Sequence, residues 1–292
     1  MKLVALSLVR NEEYWVWYSL ASVWPWVDEI LLFDNLSEDR TVERARSVDP
    51  VGDKLRVFEG VEGRSEQDLR ERCLERCREA GATHVLFLDG DEVHVDEDLA
   101  LARRMLEVGE HREPLADPPR AHGEPLRPDP TDGVLLKNIG FKPVHPGFAG
   151  PDACIPEDHL RPDDDHSCYN YAIRISALAN LHGNGLEWGR HGWLETGDLY
   201  VQASPHTLWC PGLRYFHFTH HPRSPLRVPG TGAWVRPVQD LGSVPHRQGT
   251  RIPQVLFRRD GPSNPTLEHW GLRAPARAGS RVAAPSASPF PA

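Results

Sequence analysis

The sequence predicts an α/β fold: a mostly parallel, doubly wound central sheet flanked by helices. Three observations lead there. Short continuous apolar runs, "KLVALSLV", "DEILLFDN", "KLRVFEG" and "THVLFLDGDE", have the texture of strands covered on both faces. Helical patterns alternate with them at the pitch of βαβ units. The first, second and fourth runs each end in a polar cluster, which places those clusters on one rim of a parallel sheet, where ligands of such folds lie.

Taken in order, "EEYWVWYSLASVW" fits an aromatic-rich helix stopped by Trp24-Pro25. "SEDRTVERARSV" is a polar helix with Ser37 as N-cap and acids in its first turn. In "SEQDLRERCLERCREAG", Leu69, Cys73, Leu74 and Cys77 fall at helical spacing, and Gly81 closes the helix. "DEDLALARRMLEV" is the next helix. From Glu110 to Asp132 proline, charge and histidine dominate, as in a long surface loop. "GVLLKNIGF" then reads as a strand, "PEDHLRPDDDHS" as an acidic loop and "LRYFHFTHH" as another strand, while "YNYAIRISALANL" fits helix or strand. Beyond Pro222, Pro and Gly recur too often for much regular structure, and "APARAGSRVAAPSASPFPA" has the composition of a disordered tail. The expected organisation is a ligand-binding half over 1–106, a Pro-rich insertion over 107–132, a second half of the same domain over 133–222, an irregular extension over 223–270 and a tail over 271–292.

The bulk numbers exclude several classes. A chain of 292 residues, 39% hydrophobic with nine Trp, can bury a large core. Its net charge of −9 and lack of a basic stripe argue against nucleic acid as a partner. Five cysteines without a Cys-x-x-Cys pair predict reduced thiols rather than a disulfide framework or a zinc ribbon. No stretch reaches the roughly 18 apolar residues needed to cross a bilayer, and the chain enters its first strand without a signal-peptide pattern. A cytoplasmic protein is the expectation.

The chemistry concentrates at "HVLFLDGDEV", where an apolar run ends in Asp89, Asp91 and Glu92 around Gly90. Adjacent carboxylates repel one another and lose solvation, so something positive is expected beside them. A hard divalent cation such as Mn2+ or Mg2+ suits oxygen ligands and also binds a diphosphate. Gly90 lets the backbone turn and leaves room for a ligand. Solvent-exposed turn chemistry is the bland alternative for these acids, as it is for Asp34 and Asn35. On the same rim Arg10, Asn11 and Glu12 end the first strand; Arg10 and Asn11 could hold phosphate or base, and Asp34 could accept from a nucleobase N–H or a ribose hydroxyl.

The stretch "LVRNEEYWVWYSLASVWPWVDEILLFDNLSEDRTVE" followed by "HVLFLDGDE" resembles the nucleotide-binding half of family 2 glycosyltransferases, which have the GT-A fold. Those enzymes begin with a strand ending in Lys/Arg-Asn-Glu, continue to a D-x-x-S-x-D-x-T pattern and then reach D-x-D. The resemblance covers residues 1 to 105, with three motifs in order. It implies a nucleoside-diphosphate sugar donor, with a UDP-sugar favoured, and Mn2+ or Mg2+ as cofactor. Asp34 and Arg10 would contact the nucleoside, Asp89 the ribose or the metal, and Asp91 the metal that bridges the phosphates. Asn11, Glu12, Asn35, Arg72 and Gly90 belong to the same donor-binding set. In "YFHFTHHPRS", His217 with Arg223 is similar to the late His and Arg that complete the metal site or contact the diphosphate, with His220 and His221 as alternatives.

The acceptor hydroxyl is unknown, and an inverting enzyme needs a carboxylate to take its proton. Asp158 and Glu195 are the candidates, although the chain has His191-Gly192 where relatives have His-Glu. Two readings from other classes stay open. One is a phosphohydrolase of the haloacid dehalogenase type with Asp89 as nucleophile; three βα units before the motif weigh against it. The other is a catalytically inert nucleotide- or sugar-binding module.

Overall fold

The computed structural model describes residues 1–63, 66–108, 138–144, 154–156, 172–177, 186–188, 194–196, 199–200, 207–218, 221–227, 249–251 and 253–272. In chain order the elements are β1 (Leu3–Val9), α1 (Val16–Val23), β2 (Glu29–Asp34), α2 (Thr41–Arg46), β3 (Leu55–Phe58), α3 (Glu66–Glu79), β4 (His84–Phe87), β5 (Glu92–His94) and α4 (Asp96–Val108). They continue with β6 (Asn138–Val144), β7 (Cys154–Pro156), β8 (Ala172–Ala177), β9 (Leu186–Trp188), β10 (Leu194–Thr196), β11 (Leu199–Tyr200), β12 (Thr207–His217) and β13 (Gly249–Arg251). A 3-10 turn (Gln254–Phe257) and α5 (Pro265–His269) follow.

The main sheet has the order β3-β2-β1-β4-β8-β6-β12-β5. Strands β3, β2, β1 and β4 are parallel, as are β6 and β12; β8 and β5 run against their neighbours. The chain is therefore an α/β protein with a mostly parallel central sheet flanked by helices. Alternation along β1 shows why its sequence is apolar throughout. Leu3, Ala5 and Val9 join α1 and α4 in one core cluster, while Val4 and Leu6 join Cys73, Leu74 and Cys77 of α3 in another. Both thiols are buried, and burial pushes each up to about 12.

Helix α1 is buried along its whole length. Its Val16, Leu20 and Val23 face the sheet, whereas Trp15, Trp17 and Tyr18 meet Val93, Phe216 and Phe218 together with Leu256 and Leu267 from the C-terminal region. Residues 253–272, expected to hold little regular structure, thus carry two short helical elements that pack on α1. Close packing makes Gly261 necessary: a methyl there would lie 2.9 Å from the Trp17 ring and 3.0 Å from the Tyr18 hydroxyl. Asn264 caps α5 by accepting from Thr266 and Leu267 N–H, and its amide donates to the Tyr14 carbonyl at 2.7 Å.

Local readings change in three places. Ser37 does not cap α2, which starts at Thr41; Asp39 accepts from Thr41 N–H at 2.9 Å instead. The fourth apolar run stops at Phe87, and Glu92–His94 is a separate strand that turns back to pair antiparallel with β12. The ambiguous stretch "YNYAIRISALANL" contains strand β8. Of the insertion expected over 107–132, residues 107 and 108 end α4 and the rest lie outside the described residues, as do residues 273–292 of the expected tail; no described helix is long and apolar enough to cross a membrane.

Candidate active site

The ends of β1 and β2 are laced together at the rim. Asn11 adopts a left-handed conformation (φ 53°) that Asn tolerates better than most side chains. Its N–H donates to Ser37 Oγ at 2.9 Å, and its Oδ1 accepts from Glu38 N–H at 2.9 Å. Asp34 is buried; one oxygen accepts from Ser37 N–H at 3.2 Å, and the other, Oδ1, has no hydrogen-bond partner among the described residues. A buried carboxylate oxygen left without a donor is costly unless a ligand completes it. Ser37 therefore belongs to the scaffold of the rim rather than to a helix cap.

The loop after β4 is held from below by α1. Ser19 Oγ donates to the Asp89 carbonyl at 2.9 Å, and Ser22 Oγ accepts from His94 N–H at 3.0 Å. These bonds explain two fully buried serines in an otherwise apolar helix. Gly90 has no space for a side chain: a methyl would lie 2.7 Å from Glu12 Cγ and 3.0 Å from Val9 Cγ1. The turn leaves Asp89 partly open and Asp91 1% exposed.

Pairing of β5 with β12 sets His217 opposite Glu92, and the chain beyond β12 folds over α1. Trp15 stacks on Phe218 at 3.8 Å between ring centres, its indole N–H donates to the Pro222 carbonyl at 2.8 Å, and Tyr14 N–H donates to the Arg223 carbonyl at 2.9 Å. Arg223 consequently reaches Asp91 Oδ2 at 2.7 Å and Glu12 Oε1 at 2.8 Å. His217 Nε2 lies 3.4 Å from the same Asp91 oxygen.

Opposing forces set the charges here. Burial raises the cost of ionising Asp91, but His217 and Arg223 outweigh it and hold the carboxyl below the usual range. Burial disfavours the imidazolium of His217, yet Asp91, with Glu92 and Asp89 behind it, lifts its pKa above the ordinary value. Glu12 moves the other way: burial and the Asp91 charge raise it, and Arg223 and Arg227 only partly offset them.

These groups line a cleft of about 580 Å3 that includes Arg10, Glu12, Asn35, Arg70, Asp89, Gly90, Asp91, His217, Arg223 and Arg227. Most of the donor-side residues expected from sequence thus converge. Arg72 does not: it bonds the Glu62 carbonyl and pairs with Asp68, while Arg70 lines the cleft 3.7 Å from Asp89. Two residues along a helix is a rotation of about 200°, so the two arginines leave on nearly opposite faces. Arg227, which sequence reasoning passed over, pairs with Glu12. His221 is an aromatic core residue against Trp15 and Trp270. His220 and Asp158 lie outside the described residues. Glu195 is on β10 in a separate three-stranded sheet, in register with Glu187 and Tyr200.

Among the described residues no three of His, Cys, Asp and Glu form a metal-holding group. Asp91 and His217 do offer an oxygen and a nitrogen 3.4 Å apart, with Asp89 on the same turn. One or two protein ligands suit an ion that takes its remaining oxygens from a substrate's phosphates and water. The residues fit a hard divalent cation in that sense.

No protein-family model matches the chain, and no curated protein does. Solved structures of GT-A glycosyltransferases do. S. aureus TarS 1–349 aligns over 74% of this chain and 60% of its own, with 13% identity and a TM-score of 0.40. The same protein in complex with UDP-GlcNAc aligns over 37% and 32%, with 22% identity and a TM-score of 0.31. Glucosyl-3-phosphoglycerate synthase from Mycobacterium tuberculosis, in complex with Mn2+, UDP-glucose and phosphoglyceric acid, aligns over 49% and 43%, with 17% identity and a TM-score of 0.30. The chain spans between a third and six-tenths of the length of these structures.

Proposed function

We propose that the chain is a metal-dependent glycosyltransferase that moves a sugar from a nucleoside-diphosphate donor, a UDP-sugar being favoured, to a hydroxyl acceptor. The observation that carries this reading is the convergence of three polar strand ends with His217 and Arg223 in one cleft. The orphaned Oδ1 of Asp34 suits a nucleobase N–H or a ribose hydroxyl. Arg10, Arg70, Arg223 and Arg227 suit phosphate oxygens, for which guanidinium forks are well shaped. Asp91 and His217, with Asp89 beside them, would hold Mn2+ or Mg2+, which supplies positive charge that favours the departing diphosphate more than the intact donor. Asp158 or Glu195 is proposed to take the acceptor's proton, with inversion at the sugar. The phosphohydrolase alternative needs a proton donor near Asp89, and Asp91 is held ionised.

Calorimetry with UDP, GDP, dTDP and CDP, with and without Mn2+, tests the reading. Selective, Mn2+-dependent binding of one nucleotide is expected, weakened at least tenfold by Asp91→Ala. Binding to none, or metal-independent binding untouched by Asp91→Ala, overturns it. Slow consumption of the matching sugar donor with water as acceptor separates an enzyme from an inert binding module.

A further inference from the structure

Two arginines on the cleft wall rest on a single buried carboxylate. Glu12 is 3% exposed, and its Oε1 accepts from both Arg223 Nη1, at 2.8 Å, and Arg227 Nη1. Its backbone is fixed as firmly: the N–H donates to Thr41 Oγ1 at 2.7 Å, and the carbonyl accepts from Trp15 and Val16 N–H at the start of α1. Its side-chain carbons lie against Gly90. Arg227 is additionally tied to the Arg10 carbonyl at 3.1 Å, and Arg223 to Asp91.

Two guanidinium groups that share one oxygen carry like charges at close range, and together they favour the Glu12 anion against the burial and the Asp91 charge that raise it. Removal of that anion has different consequences for the two. Arg223 is 16% exposed and keeps Asp91 as a partner, whereas Arg227 is 49% exposed and has solvent to move into. We propose that Glu12 is a positioning residue, which acts through Arg223 and Arg227 by holding them at the spacing that receives a diphosphate. The resemblance in sequence groups Glu12 with the nucleotide contacts; in the structure it borders the cleft yet is only 3% exposed and bonds both arginines. The ligand class rests on the donor reading above, but the holding of the two arginines does not.

The test separates those two parts. Glu12→Gln keeps shape and removes charge. In 15N spectra of the full chain without ligand, the arginine Nε–H signals of Arg223 and Arg227 are expected to be distinct and slow to exchange. In Glu12→Gln that of Arg227 is expected to collapse into the exchange-averaged envelope of exposed arginines. An unchanged Arg227 signal overturns the holding role, whatever the protein binds.

With UDP and Mn2+, Glu12→Gln is expected to weaken binding at least tenfold while Mn2+ affinity without nucleotide changes less than twofold. In an Arg223→Gln/Arg227→Gln background the same change is expected to cost less than a further twofold. A full tenfold loss in that background, or a matching loss of Mn2+ affinity, makes Glu12 a direct ligand and overturns the proposal. Failure of the unaltered protein to bind any nucleoside diphosphate overturns the donor reading and the diphosphate part together, and the spectra still decide whether Glu12 holds the arginines. Should Glu12→Gln not fold, Arg227→Gln, altered at a half-exposed side chain, serves in its place: a loss of about fivefold for UDP supports the arrangement, and no loss overturns it.

Discussion

At Gly90 a hydrogen atom where other residues carry a methyl group decides whether the carboxylate turn can close. Alanine there would sit 2.7 Å from Glu12 Cγ, and Glu12 cannot retreat because Arg223 and Arg227 hold its far end. Gly90→Ala is therefore expected to cost about 1–3 kcal/mol, as overpacked sites do, and to weaken nucleotide binding; urea unfolding and calorimetry read the two effects. The sequence marks Gly90 as a turn residue with room for a ligand, and the pattern is right for a partly different reason. What crowds it is a side chain from another strand end, 78 positions away in the chain. The same limit applies to Arg70 and Arg72. Helix α3 is charged on most of its surface, so its sequence offers both arginines and only the packing of Leu69, Cys73 and Cys77 decides which one meets the cleft.

Elements long enough to show a period were legible, and those that exist only through pairing were not. Strands β1 to β4 and helices α1, α3 and α4 follow from their apolar patterns. Strand β5 has three residues and no period of its own; it forms because β12 arrives beside it, and that pairing brings His217 to Asp91. Helix α4 is joined to β12 in a way that depends on pH. Asp98 in its first turn accepts from Arg214 N–H at 2.8 Å, and burial, only partly offset by that bond, raises the carboxyl to about 6. The folded form therefore binds this proton more tightly than the unfolded chain. Its stabilising effect is full below about pH 4 and is lost as pH rises through about 6. In Asp98→Asn that loss disappears, so the unfolding free energy of the variant minus that of the unaltered protein should climb between pH 4 and 6. The climb should be at most about 3 kcal/mol, followed by a plateau. Denaturant titrations at half-unit pH steps would show it, and a flat difference would contradict it.

On the scale of the molecule, the site is closed by chain that lies far from it in sequence. Composition alone hides this, since the proline and glycine of the C-terminal region resemble loop, and only the aromatic face of α1 shows what those residues cover. Asn264 is one of these ties, capping α5 while it bonds the Tyr14 carbonyl, and Tyr14 N–H in turn bonds the Arg223 carbonyl. Asn264→Ala is expected to destabilise the fold by about 2 kcal/mol, the sum of a lost cap and a half-buried carbonyl left without its donor. Thermal or urea unfolding measures that loss, and a change within experimental error would mean that α5 is only loosely docked. Trp15 bonds a carbonyl 207 residues ahead of it, and Tyr18 one 244 residues ahead. During synthesis these rings precede the partners that cover them by more than two hundred residues. Over that interval the nascent chain carries an uncovered aromatic stripe, and long-range closure of this kind is slow and prone to association. The contacts that complete the cleft are therefore also the ones that end the protein's exposure to chaperones.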